Sequence, residues 1–176
     1  KANRVVTTVM SNLGLEKSLE RCDVEVERVQ VGDRYVVAKM REINANLGGE
    51  QSGHTILRDI ATTGDGLVTA LSMLGVMVQE EKSLSQLGAE MQHFPQALKS
   101  FIVAAKPSLT SLPKTQNAIS KVESMLHGKG RVLVRYSGTQ QMARVMVEGE
   151  DTQVVEGLVE EISELMATEI NELARG

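Results

Sequence analysis

The stretch RYSGTQQMAR, residues 135–144, holds an arginine at each end of a short polar loop. The flanking segments RVLVR and ARVMVE alternate apolar with polar side chains, which predicts two strands paired as a hairpin with Arg135 and Arg144 at its neck. Between them lie Ser137, Gly138 and Thr139. Forked cations, hydroxyls and the backbone N–H groups that a glycine leaves open are the donors that phosphate oxygens accept from, and such charge-assisted bonds are roughly twice as strong as neutral ones. The same residues also fit an ordinary hairpin whose arginines lie along the sheet.

A second polar run, GGEQSGH at 48–54, offers different chemistry. Glu50 is an acceptor for paired hydroxyls, Ser52 donates or accepts, and Gly49 and Gly53 let a ligand approach the main chain closely; a polyol such as a sugar ring is recognised by such groups. A glycine-rich turn facing water is the competing reading. His54 enters an apolar strand and fits a packed ring or a base beside the same cleft. Asp33, followed by Arg34, and Asp65 each read first as helix caps. His93 and His127 have no polar company and read as packing or surface residues.

The elements that must position these groups follow from periodicity. Strand-like VVTTVM (5–10), a helix carrying Leu15, Leu19 and Cys22 and capped by Ser11 or Asn12, and strand-like VEVERVQV (24–31) make a βαβ unit. Asp33 is expected to cap a helix with Val36, Val37, Met40 and Ile43 on one face. A short strand near Asn46, the polar run and a strand over HTILRD follow. Asp65 begins a helix whose Leu67, Leu71, Leu74 and Val78 leave it apolar nearly all round, so burial is expected. Ser83 caps a further helix. A strand over 98–105, a helix with Ile119, Val122 and Leu126, the hairpin and a long helix over 152–174 complete the chain. The expected architecture is α/β: a three-layer domain with a mixed sheet over 1–92, then a smaller α+β domain over 93–176, an antiparallel sheet with helices on one face. The segment around Pro107 is the rival boundary. In open α/β sheets ligands bind beyond the carboxyl ends of the strands, so the loops at 11–12, 32–34, 48–53 and 62–66 are expected to share one rim.

The chain has 176 residues, 41% hydrophobic and 24% charged, a folding composition for one large or two small domains. A net charge of -4 without a basic run argues against nucleic acid as a partner and for small metabolites. Cys22 is the only cysteine, so there is neither a disulfide framework nor a cysteine metal cluster. The lone thiol reads as core packing, and a reducing cytoplasm fits best. No 18-residue apolar run or leader pattern occurs, so neither a membrane span nor export is expected. The start at Lys1 reads as part of a longer protein.

VMSNLGLE, VGDRYV, GGEQSGH, TTGDG, FPQ and GRVLVRYSGTQQMARVMVEGED, in this order across the chain, resemble the C-terminal half of the bacterial phosphoglucosamine mutases, a branch of the α-D-phosphohexomutase superfamily. The resemblance implies the third and fourth of four domains. It implies interconversion of glucosamine 6-phosphate and glucosamine 1-phosphate, on the way to UDP-N-acetylglucosamine and peptidoglycan. It makes Gly49, Glu50, Ser52 and Gly53 the sugar loop, Arg135, Ser137, Gly138, Thr139 and Arg144 the phosphate clamp, and Asp33, Arg34 and His54 cleft residues. The family's R-x-S-G-T-E-P reads here with Gln140 and Gln141 in its last two places, which implies a looser loop. The family's phosphoserine and its D-x-D-x-D magnesium loop lie in its first two domains, and neither motif occurs in this chain. The fragment is thus expected to be inactive alone and to bind no metal. Mg2+ and a glucose or glucosamine 1,6-bisphosphate would belong to the parent enzyme, and the chain's own N-terminal domains and a phosphosugar would be its partners. A glucose- or mannose-phosphate mutase fragment and a non-catalytic phosphosugar-binding module are the alternatives.

Overall fold

The β-branched run near the start forms β1 (Arg4–Thr8), whose Val6 is fully buried. In this computed structural model, which describes residues 3–174, β1 opens the first of two units, Lys1–His93 and Phe94–Gly176. Asn12 caps α1 (Leu13–Glu20), its side chain accepting from Gly14 N. The helix then stops, Asp23 turns into the left-handed region at φ 57°, and β2 (Glu25–Val29) runs parallel to β1. Helix α1 therefore ends before Cys22, which is exposed rather than packed in the core.

Helix α2 (Asp33–Glu42) begins one residue earlier than its aspartate suggests. Gly32 is the cap, at φ 132°, and Asp33 lies within the first turn with its Oδ1 accepting from Arg34 N at 2.7 Å. Glycine is the residue that takes up such a φ without strain, so the cap is set by backbone shape rather than by a side-chain acceptor. Val36 and Met40 then pack with Val6, Ala45 and Ile56 into the first core. Strands β3 (Leu47–Gly49) and β4 (Thr55–Leu57) complete a mixed sheet in the order β2-β1-β3-β4, with β3 parallel to β1 and β4 antiparallel to β3. Gly48 sits where α2 meets the sheet: a Cβ there would lie 2.5 Å from Met40 Sδ and 2.8 Å from Val36 Cγ1.

Asp65 caps α3 (Gly66–Glu80) by accepting from Val68 N, and Ser83 with Gln86 forms a capping box on α4 (Leu84–Gly88). The burial expected of α3 is absent. None of its residues is buried, and Leu67, Leu71 and Val78 are 71%, 60% and 80% exposed. Apolar residues on every side demand cover, yet within its unit α3 packs chiefly against β4.

The second unit is an antiparallel sheet in the order β5-β7-β6, built from β5 (Gln96–Ile102), β6 (Arg131–Tyr136) and β7 (Met142–Glu148). Strand β5 starts two residues and ends three residues earlier than alternation suggests, because it pairs with β7 along the whole of that strand, from Gln96 opposite Glu148 to Ile102 opposite Met142. A short 3-10 turn (Leu109–Ser111) leads into α5 (Pro113–Leu126), with proline at the first helical position. His127, at φ 44°, ends it. Asp151 caps α6 (Thr152–Leu173), whose Val155, Leu158, Val159, Ile162, Met166 and Ile170 recur at helical spacing. These pack with Val122 of α5 against Ala143, Val145 and Val147, the alternate residues of β7, so both helices cover one face of the sheet. Each such side chain, fully buried, is worth roughly 1.5–3 kcal/mol. No helix among the described residues is long and apolar enough to cross a membrane.

Candidate functional site

The run at 48–54 is the hairpin between β3 and β4. Gly49 pairs with Thr55, Glu50 N donates to His54 O at 2.9 Å, and Gly53 N donates to Glu50 O at 3.1 Å. This closed turn fixes where Glu50 points. Its side chain is only 8% exposed; Oε1 accepts from Gly32 N at 2.8 Å and Oε2 lies 3.2 Å from His54 Nδ1. An ionised carboxylate only accepts, so Nδ1 is the donor in that contact. The ring itself is 60% exposed. Glu50 is therefore a junction between two loops as well as an acceptor, each oxygen keeping a further lone pair for a ligand hydroxyl.

The neighbouring loops gather at the same rim. Thr7 Oγ1 donates to Gly49 O at 3.1 Å and also meets the Ser11 hydroxyl. Gly64 stands beside the hairpin, where a Cβ would lie 3.5 Å from Thr55 O and 3.8 Å from His54 Cβ. Ser52 and Gly53 are exposed at the hairpin tip. Arg34 turns onto its neighbour: its guanidinium lies 4.6 Å from the centre of the Tyr35 ring and donates to Tyr35 OH at 2.7 Å. Among the described residues, Asp33 engages only its own helix turn, by the bond to Arg34 N already described.

In the second unit, β6 and β7 bring Arg135 directly opposite Arg144. Four residues along the same two strands, Arg131 stands opposite Glu148, with which it pairs, and Gln96 also donates to Glu148. One end of this sheet face is thus neutralised and the other is not. Like charges directly opposite one another destabilise a ladder. The Nε atoms of both Arg135 and Arg144 are buried with no hydrogen-bond partner among the described residues. Burial, and then the Arg144 cation, push the Arg135 pKa down from its usual value; guanidinium remains charged even so. Such a pair asks for an anion.

The loop that follows supplies further donors. Ser137 is buried, its N donating to Met142 O at 2.8 Å, while Gln140 N donates to Ser137 Oγ at 3.2 Å. Ser137's hydroxyl therefore braces the turn and keeps its own hydrogen to give. Gly138, Thr139 and Gln140 are exposed. The chain after β5 is tied to this loop, Val103 N donating to Gln141 O at 3.1 Å. Sequence reading missed the contributions of Gly32 N and Thr7. The first is a backbone group that no residue type announces; the second follows from strand alternation, since Thr7 lies on the opposite side of β1 from Val6. Among the described residues no group of three or more His, Cys, Asp or Glu side chains is placed to hold a metal ion.

Residues 1–94 match the family model described as phosphoglucomutase/phosphomannomutase, alpha/beta/alpha domain III, and residues 76–165 match the C-terminal domain of the same family. The phosphoglucosamine mutase of Protochlamydia amoebophila is 50% identical over 170 residues, covering 97% of this chain and 37% of the relative. That of Listeria innocua is 47% identical over 169 residues, 96% of this chain and 38% of the relative. The chain therefore spans well under half the length of the curated relatives it matches. Among solved structures, the N-acetylphosphoglucosamine mutase of Aspergillus fumigatus superposes with a TM-score of 0.81 at 16% identity, over 95% of this chain and 38% of that one. That enzyme has also been solved with GlcNAc-6P and magnesium, and a variant of it with glucose 1,6-bisphosphate. A two-unit α/β chain with these loops, more than half of it matched by one family model, belongs to the phosphoglucomutase/phosphomannomutase family.

Proposed function

We propose that this chain is the substrate-recognition half of a phosphosugar mutase that interconverts glucosamine 6-phosphate and glucosamine 1-phosphate. The observation that carries the proposal is the facing pair Arg135 and Arg144, two cations with buried, unpartnered Nε atoms at the mouth of a Ser-Gly-Thr loop. They hold the phosphate that is not being transferred. Ser137, Gly138 and Thr139 complete the clamp with hydroxyl and backbone donors. The hairpin at 48–54 reads the sugar: Glu50 and Ser52 meet ring hydroxyls, Gly49 and Gly53 shape the turn, and His54 presents its exposed ring on the same rim. Asp33 and Arg34 line the approach.

The choice of amino sugar is supported by the 47–50% identity to phosphoglucosamine mutases. The breadth of the family model keeps glucose and mannose phosphates as the second reading. Phosphoryl transfer depends on positioning and on neutralising charge around an activated acceptor. The acidic donor set for magnesium is not among the described residues of this chain, so no step is assigned to the metal here. In this proposal magnesium, the phosphoserine and the bisphosphate intermediate belong to the rest of a longer cytoplasmic enzyme, with which these two units assemble.

An amide-resolved NMR titration with glucosamine 6-phosphate tests the reading, with glucose and mannose 6-phosphates as the panel. Shifts at 48–54 and at 135–139, the latter lost in Arg135→Ala, are expected. A chain whose resonances at both loops stay fixed at saturating ligand would overturn it.

A further inference from the structure

The phosphate clamp has a third cation that the loop's own sequence does not contain. Lys106 lies in the segment after β5, and its Nζ donates to the carbonyl of Ser137 at 2.7 Å. That carbonyl belongs to the residue two beyond Arg135. Pro107 follows Lys106 and restricts its backbone to extended conformations, narrowing the region the ammonium sweeps. The same segment is tied to the loop a second time by Val103 N on Gln141 O.

Charge pattern and position together distinguish this lysine: Lys121 of α5 also forms no ion pair among the described residues, but only Lys106 of the two reaches the 137–141 loop. Lys99, Lys114, Lys129 and Arg131 each pair with a carboxylate, Glu160, Glu172, Glu150 and Glu148 respectively. Lys106, Arg135 and Arg144 form no ion pair among the described residues, and all three converge on one loop. An ammonium has three donors; one is spent on a neutral carbonyl, which anchors the loop without cancelling the charge. We infer that Lys106 is a positioning residue of the phosphate clamp, holding the 137–141 loop by its first carbonyl and adding the third positive charge, with two N–H donors left for the anion. This rests on reading Arg135 and Arg144 as the clamp.

The test is a titration of the chain with inorganic phosphate, followed through the amides of residues 135–142, for wild type, Lys106→Met and Lys106→Arg. Lys106→Met is expected to weaken phosphate binding about tenfold, and Lys106→Arg to restore it to within about threefold. The dependence of affinity on salt should also be shallower in Lys106→Met than in wild type, because one fewer charge is screened; loss of a mere tether leaves that slope unchanged. Saturable binding by wild type with an equal affinity in Lys106→Met would overturn the role of Lys106 while leaving the arginine clamp standing. Equal losses in the Met and Arg variants, with an unaltered salt slope, would reject a charge role. No saturable binding by wild type would remove the clamp and this inference together. Lys106 is exposed, and thermal melts of the variants separate weakened binding from unfolding.

Discussion

At the scale of single residues, Glu50 and Glu169 show two uses of a buried carboxylate. Glu50 spends one oxygen on Gly32 N and the other on His54, so removing its charge loosens two loops at once. Glu50→Gln should leave the fold intact and weaken glucosamine 6-phosphate binding by about 1.5–3 kcal/mol, the usual value of a hydrogen bond to a charged group; calorimetric or NMR-derived Kd values check it. Glu169 acts on stability instead. It reaches from α6 to the bare start of α5 and accepts from Lys114 N, Thr115 N and Thr115 Oγ1. Burial pulls its pKa up, but the Thr115 hydroxyl and the two backbone donors outweigh burial, and the net shift is down. A carboxylate whose pKa is depressed on folding stabilises the fold above its unfolded value, and that share is lost as pH falls through the folded value. Glu169→Gln should therefore cost about 1–3 kcal/mol at neutral pH and flatten the acid limb of a stability-against-pH curve measured by urea unfolding. An unchanged acid limb would show that Glu169 does not titrate with folding.

At the scale of elements, stability turns on caps and close approaches. Asp151→Ala removes the acceptor for Val154 N and should cost about 1 kcal/mol. Gly48→Ala places a Cβ against Val36 as well as Met40; the methionine tail can swing away but the branched valine cannot, so a loss of about 1–3 kcal/mol is expected by chemical denaturation. These features also show how far the sequence was legible. Asn12, Asp65 and Ser83 were readable as caps because a short side-chain acceptor next to a helical period has one obvious use. Asp33 misled because the residue before it, a glycine at positive φ, had already begun the helix. Cys22 misled because the apolar period runs on after the backbone has turned. The arginine pair was readable from types and spacing alone. The bonds from Gly32 and Lys106 were not, since each joins segments far apart in sequence and one of them is a main-chain group.

At the scale of the whole molecule, the exposed stripe of α3 is the largest mismatch between composition and environment. Leu67, Leu71, Leu74 and Val78 are each more than half exposed, and apolar surface of this kind drives association in water. Glutamate at Leu67 and Leu71 together should lower self-association in sedimentation velocity without lowering the melting temperature, since neither side chain is part of the buried cores. The second unit has a different dependence, one of order in time. The start of α5 has no side-chain cap of its own, and the group that completes it, Glu169, is made 54 residues after Thr115. Strand β5 likewise waits for β7 to be synthesised before it has a neighbour. A nascent chain thus carries an unpaired β5 until β7 is made, and an unfinished start of α5 until α6 reaches Glu169. The facing arginines of β6 and β7 are consequently made before the carboxylate that completes α5, and a pause before residue 169 would leave a chain in which the hairpin loop is already made but its scaffold is not.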